Sequence, residues 1–419
     1  MTKMTKKSTK GIITSVVTFI MASVLVLAGF GIGWAVKHKP GKGEPAINPV
    51  AWSVDVYEGG DPDTTNWLSG TSFANRGNMA YTINSAESFL KFVEIVNSDA
   101  SADYNYFKGY TIYLNKNIDM NGYHLSSIGK KLTDSQGKAF SSFQGIFDGG
   151  YYTISNAVID GNGLFGYTED ATIRNIGLYN CTINSDAEYV GAILGEGLNT
   201  VVENVYTRLG SISGENMVGG LVGKLTIDRT LNNTLPYTIV SNSFVDSKIN
   251  AIRFGGLVGE LVSTNESEEN DALIERCYYT QGKKLTYTTN GNIEVKNTVA
   301  TAKGESFRDF NVREYSSKLL LEANAWTNYT YAKNSEVKDF RTPVLAGFVK
   351  VFVTGSGYEA TIATDGYFNN VFTVADAFSM VAPNRHAEIN IAVEHVTLDK
   401  TAKVPSNTTI NLKTSIDTT

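Results

Sequence analysis

At 419 residues the chain is longer than one ordinary hydrophobic core organises, so two or three folded units are expected. Gly at 39, Tyr at 22 and Phe at 20 against only 8 Pro, with 19% charged residues, exclude a mainly disordered chain and favour strand-rich structure. The net charge of −6 is unevenly placed: residues 1–42 hold seven lysines and no acid, which leaves about −13 on the remainder and disfavours a nucleic-acid partner.

Residues 11–36 carry no charge. As a helix they would reach about 39 Å, enough to cross a hydrocarbon core of ~30 Å. Lys3, Lys6, Lys7 and Lys10 precede the run, while Lys37 and Lys39 follow it. The denser leading cluster predicts a cytoplasmic N-terminus and an exported body. Ala22-Ser23 and Ala28-Gly29 lie inside the run, so no small-x-small cleavage site closes it. Residues 1–36 are therefore expected to be a lysine-rich tail with an uncleaved transmembrane signal anchor, and 37–51 a stalk punctuated by Pro and Gly.

The middle of the chain repeats itself. One element is an aliphatic residue, any residue, then Asn: Ile154-Ser155-Asn156, Ile173-Arg174-Asn175, Val202-Glu203-Asn204 and Val240-Ser241-Asn242, with Ile274-Glu275-Arg276 as a variant. Three residues beyond each come Ile159, Leu178, Thr207, Val245 and Tyr279. The second element ends in glycine: Gly163-Leu-Phe-Gly166, Ala192-Ile-Leu-Gly195, Gly220-Leu-Val-Gly223 and Gly256-Leu-Val-Gly259. The two alternate along the chain, as expected of stacked units that cannot bury an apolar face alone. Short runs rich in Val, Ile, Tyr and Thr with period two make the units strands. Glycine at fixed offsets would break helices but suits tight corners or close backbone packing. Asn at a fixed offset can stack on its neighbours through its amides, so Asn156, Asn175, Asn204 and Asn242 are expected in one file. The predicted fold is an all-β, right-handed parallel β-helix. Cys181 and Cys277 should lie about three coils apart, as isolated buried residues.

These residues carry a resemblance. Phe143-Gln-Gly-Ile-Phe-Asp148-Gly-Gly150, the Tyr-Thr-Ile-Ser-Asn that follows and the glycine-ended repeats resemble the GLUG-motif surface proteins of bacteria. Ser85–Asn97 then matches the family's capping helix, and Lys108–Asp119 its first strand. Trp326 and Thr342-Pro343-Val344-Leu345 match the segment that closes its repeats. The resemblance implies a β-helix over 52–346, with a capping helix near 85–97 and GLUG-like repeats over 143–280. It also implies a place on the bacterial cell surface, which agrees with the single membrane pass and extracytoplasmic body expected from residues 1–36. It brings no catalytic residues with it.

Spacing along the repeat varies at one corner. From Gly166 to Ile173 and from Gly195 to Val202 it is 7 residues, but 17 from Gly223 to Val240 and 15 from Gly259 to Ile274. Two long loops, 224–238 and 260–272, should therefore project side by side from equivalent positions, as binding loops of solenoids do. Their Asp228, Arg229, Tyr237, Glu266, Glu268, Glu269 and Asp271 are the candidate binding residues. The acidic run lacks the D-x-D-x-DG order of a dedicated calcium loop.

After Pro343 the text changes. A strand near 347–359, a short amphipathic helix at 372–381 with Thr373 as N-cap, and strands near 388–398 and 403–414 follow. This small C-terminal α+β segment, 347–419, resembles the opening of a second β-helix module. An open strand edge is an aggregation hazard unless covered, so three alternatives stand: a longer natural chain, pairing of this end with a partner or another copy, or folding against the first module.

Catalytic patterns are missing from the text. Asp148, Asp160, Asp186, Glu188, Glu196, Glu203 and Glu215 face outward, but nothing in the sequence groups them into the carboxylate pair of a glycosidase. His38, His124, His386 and His395 show no metal-ligand spacing. Trp52, Trp67, Tyr104, Tyr106, Tyr151, Tyr152, Tyr278 and Tyr279 would stack on sugars if aligned, or else pack sideways on the strands. The expectation is a membrane-anchored, non-catalytic surface protein without cofactor or metal, which binds a glycan or a host or matrix protein. The alternative is a carbohydrate-active β-helix enzyme, a polysaccharide lyase or glycoside hydrolase.

Overall fold

The computed structural model describes residues 54–58, 79–264, 270–282, 284–300, 326–333, 336–348, 351–354, 361–363, 387–391 and 408–412, all within the unit Val50–Thr419. The expected anchor, the stalk and the helix at 372–381 lie outside the described residues. Among the described residues no helix is long and apolar enough to cross a membrane.

The fold is mainly β, dominated by one 21-stranded sheet. Its strands pair in parallel, each with the strand one repeat further on, as expected of a β-helix. In one ladder Ile112, Phe147, Ile173, Val202, Val240 and Ile274 fall in register, all fully buried. In another the apolar residue before each closing glycine does the same: Phe165, Leu194, Val222 and Val258. Each such side chain contributes about 1.5–3 kcal/mol by leaving water, but only with a coil above and below it. Cys181 and Cys277 are buried and unbridged, and burial pushes both thiols up to about 12.

The asparagines occupy two files, not the single one expected. Asn204 Nδ2 donates to Asn175 Oδ1 at 3.0 Å, and Asn175 Nδ2 donates to Asp148 Oδ1 at 2.9 Å. Asn242 and Arg276 continue this file, Arg276 Nε donating to Asn242 Oδ1 at 2.9 Å. Asn156 instead belongs to the next corner of the coil, where Ile154 pairs with Leu178 rather than with Ile173. There Asn180 Nδ2 donates to Asn156 Oδ1 at 2.7 Å, and Asn156 Nδ2 to Asp119 Oδ1 at 2.9 Å. Both corners turn through left-handed backbone: φ is +55° at Asn175, +52° at Asn204, +55° at Asn156 and +51° at Asn180. Asn visits that region at less cost than most residues, and its amide bonds up and down the stack. Asn204→Ala should lose the amide ladder and strain the corner, costing about 2–3 kcal/mol in urea denaturation. Asn204→Gly, which relieves the strain alone, should cost about 1 kcal/mol.

A helix, α1 (Ala86–Asn97), covers the apolar interior at the first coils. Ser88 N donates to Ser85 Oγ at 3.1 Å and Ser85 N to Ser88 Oγ at 3.0 Å, a reciprocal cap that fixes where the helix starts. Its buried Phe92 packs edge-on against Phe107 and Phe143.

The chain then returns along the flank of the stack. Trp326–Lys333 and Glu336–Leu345 form an antiparallel hairpin. On the outer face, Tyr206, Phe244 and Tyr278 are stacked in register, with ring centroids 5.1 and 4.8 Å apart. Buried Trp326 meets Phe244 and Tyr278, and its Nε1 donates to Asn242 Oδ1 at 3.2 Å. Buried Phe348 meets Tyr206 and Tyr151. The C-terminal strands form a mixed sheet. Val351–Thr354 runs antiparallel to Thr361–Ala363 and Ala387–Ile391, and Ala387–Ile391 pairs in parallel with Thr408–Leu412.

Candidate functional site

Residues 224–227 and 260–263, expected in the loops, instead continue as paired strands; the loops begin after Ile227 and Ser263, which pair with each other, and the first is braced on both sides. Asp228 and Asn199 exchange bonds: Asp228 N donates to Asn199 Oδ1 at 2.8 Å, and Asn199 Nδ2 to Asp228 O at 3.0 Å. The Asp228 carboxylate accepts from Thr230 Oγ1 at 2.5 Å and Thr230 N at 2.9 Å, which holds its pKa below the usual value. Arg229 reaches three carbonyls, donating to Asp271 O at 2.8 Å, Leu235 O at 2.6 Å and Pro236 O at 3.1 Å. Tyr237 is exposed and donates to Glu294 Oε2 at 3.1 Å. Asp271 is buried and accepts from Ser263 Oγ. Glu266, Glu268 and Glu269 lie outside the described residues. The described polar groups of this border are thus bonded within the protein: Arg229 ties one loop to the next, and Asp228 shapes a turn.

Most of the outward carboxylates are likewise engaged. Asp148 accepts from Arg174 Nε at 2.9 Å, and Glu196 from Lys131 Nζ at 3.1 Å. The aromatics pack sideways: Tyr278 and Tyr279 are buried, Tyr104 stacks on Phe107 and Tyr151 meets Phe348. Trp52 and Trp67 lie outside the described residues.

Three carboxylates that the sequence left ungrouped come together. Asp160, Asp186 and Glu215 line an open groove with Gly161, Asn184, Ser185, Ser213, Gly214 and Asn250. Its floor is the outward face of the ladder formed by Val158–Ile159, Thr182–Ser185, Ser211–Gly214 and Lys248–Asn250. Ile159, Ile183, Ile212 and Ile249 point inward and are buried, which forces the alternate residues out. Asn184 pairs with Ser213 and Ser213 with Asn250, so successive coils place one polar side chain each on a common row. Asn250 Nδ2 donates to Ser211 Oγ at 2.9 Å and Ser213 Oγ at 3.2 Å. At the first coil of the face, His124 Nδ1 lies 2.9 Å from Asp160. Two exposed apolar residues flank these strands at opposite ends: Leu209, 53% exposed at a left-handed corner before Ser211, and Ile252, 92% exposed, after Asn250. Among the described residues no group of three His, Cys, Asp or Glu gathers as a metal centre.

The fold and this surface define an all-β repeat protein with a side-chain-lined groove along its stack. No family model matches the chain. It is 26% identical over 271 residues to an immunoglobulin A1 protease of Streptococcus sanguinis, a match covering 62% of this chain and 13% of that protein. It is 37% identical over 92 residues to halomucin of Haloquadratum walsbyi, covering 20% of this chain and 1% of halomucin. A crystal structure of a candidate immunoglobulin A1 protease from Bacteroides ovatus aligns with 64% of this chain and 92% of its own, at 14% identity and a TM-score of 0.25.

Proposed function

We propose that this chain is a non-catalytic, extracytoplasmic surface protein that holds an extended ligand in the groove lined by Asp160, Asn184, Ser213 and Asn250. The observation that supports this reading best is the row itself: hydrogen-bonding side chains from successive coils, exposed at Asp160, Asn184 and Asn250 and half-buried at Ser213. A relative named for a protease of immunoglobulin A1, an antibody, is in keeping with an extracellular setting, as is the expected anchor at 1–36. The braced loops act in this reading as a rim that keeps the coils in register, and the outer strand Thr408–Leu412 offers an edge for self-association. Binding is tested with a glycan array and titration calorimetry on the full chain in detergent. Asn184→Ala combined with Asn250→Ala should weaken ligand about tenfold by removing two hydrogen bonds, with the circular dichroism unchanged. Unchanged affinity would overturn the groove as the site.

A second reading, glycan cleavage, rests on Asp186 and Glu215. Ser185 pairs with Gly214 on strands spaced about 4.7–4.9 Å, and Asp186 and Glu215 are the residues that follow this pair. Retaining glycosidases hold their carboxyl groups about 5–5.5 Å apart. Release of reducing ends from a bound glycan, abolished by Glu215→Gln, would favour this reading over the first.

A further inference from the structure

We infer that the ligand of this groove is a neutral polysaccharide lying along the stack, with about one sugar ring to each coil. This rests on the groove being the binding site and names what it takes. Coils repeat about every 4.8 Å, and an equatorially linked pyranose chain advances by close to that distance per ring. Asp160, Asn184, Ser213 and Asn250 therefore fall about one to each ring along such a chain, whose rings alternate in the face they turn to the floor. Carboxylate, amide and hydroxyl together supply both acceptors and donors, which is what sugar hydroxyls need. Ile252, exposed two residues past Asn250, offers apolar surface at the end of the row for the C–H face of a ring.

Charge sets the class. Three of the lining residues are acidic and none is basic. On the paired strands of this face, His124 is held against Asp160 and Lys248 is in register with Ser211. Net negative charge along the floor repels uronic or sulfated chains. A peptide strand is disfavoured for a different reason. The main-chain groups of this ladder are already used in pairing coil to coil, so no free edge is offered for strand addition.

The test is calorimetry on the full chain with cello- and chito-oligosaccharides of increasing length, and with oligogalacturonates of matched length. Affinity for a neutral series should rise about tenfold between two and four rings and level off once the four-coil row is filled. Oligogalacturonates should bind at least tenfold more weakly, and should tighten as salt screens the repulsion. Binding that Asn184→Ala with Asn250→Ala abolishes, but that ignores length or favours the polyanion, overturns this inference and leaves the groove as the site. Binding of any of these sugars that the double variant leaves intact overturns the groove reading, and the inference with it. Failure of every neutral series to bind overturns the inference, and a protein ligand lost on the same substitutions would then take its place.

Discussion

Gly223→Ala is expected to destabilise the chain by about 3 kcal/mol or more, among the largest single losses in the stack. A Cβ at Gly223 would fall 2.5 Å from Gly195 O, 2.5 Å from Val190 N and 2.7 Å from the Tyr189 carbonyl carbon. All three are backbone atoms, so no side chain can turn aside. The same conflict recurs down the column of closing glycines: 2.6 Å at Gly166, 2.8 Å at Gly195 and 2.5 Å at Gly259, each against the carbonyl of the coil before. These glycines are kept for the distance between coils, not for a special dihedral. Gly122 provides the contrast, with φ of +79° and nothing within 4 Å of a built Cβ. Alanine there pays only for its conformation, about 1–2 kcal/mol. Urea denaturation of both variants decides the matter; equal losses would mean that dihedral freedom governs both sites.

Asp246→Leu is expected to cost about 3–5 kcal/mol at neutral pH, because it removes the carboxylate paired with the Arg208 charge inside the protein. Arg208 Nε donates to Asp246 Oδ2 at 3.1 Å, with side-chain exposures of only 9% and 11%. Replacing both, Arg208→Met with Asp246→Leu, should return most of that loss, since removing a buried pair together is often near neutral. Single and double variants of equal stability would show that the pair is not coupled. Burial pushes the Asp246 carboxyl up to about 6, with the Arg208 guanidinium opposing the shift. Because the folded value lies above the unfolded one of about 3.9, this group's contribution is full below about pH 4 and is lost as pH rises to about 6. Above that it is flat. Over that window stability should fall less with rising pH, or rise more, in Asp246→Leu.

The repeat ending in glycine was legible because one physical demand, close approach of coils, recurs at one offset and tolerates one residue type. The asparagine repeat misled because two different corners make the same demand. Both need left-handed backbone and an amide that bonds along the stack, so aliphatic-x-Asn matches at either. Setting Asn156 beside Asn180 would have put Asp160, Asn184 and Ser213 at the same offset, four residues past Asn156, Asn180 and Leu209, and shown the row on the page. The loop residues failed to stand out for a different reason. Arg229 reads as a free cation in the sequence, and only the folded path reveals the three carbonyls it satisfies. Where the hairpin from Trp326 would come to rest was likewise invisible, since nothing local in it encodes a contact with Tyr206 or Tyr278.

That resting place has a mechanical consequence. Phe348 is seated on Tyr206 and Tyr151, several turns ahead of the last described strand of the parallel stack, Val299–Ala300. A pull delivered through the polypeptide beyond Phe348 would enter at mid-stack, across packed rings, and would leave the final turns out of the load path. Unravelling from the tail would then have to break the aromatic seat before it could peel a single coil.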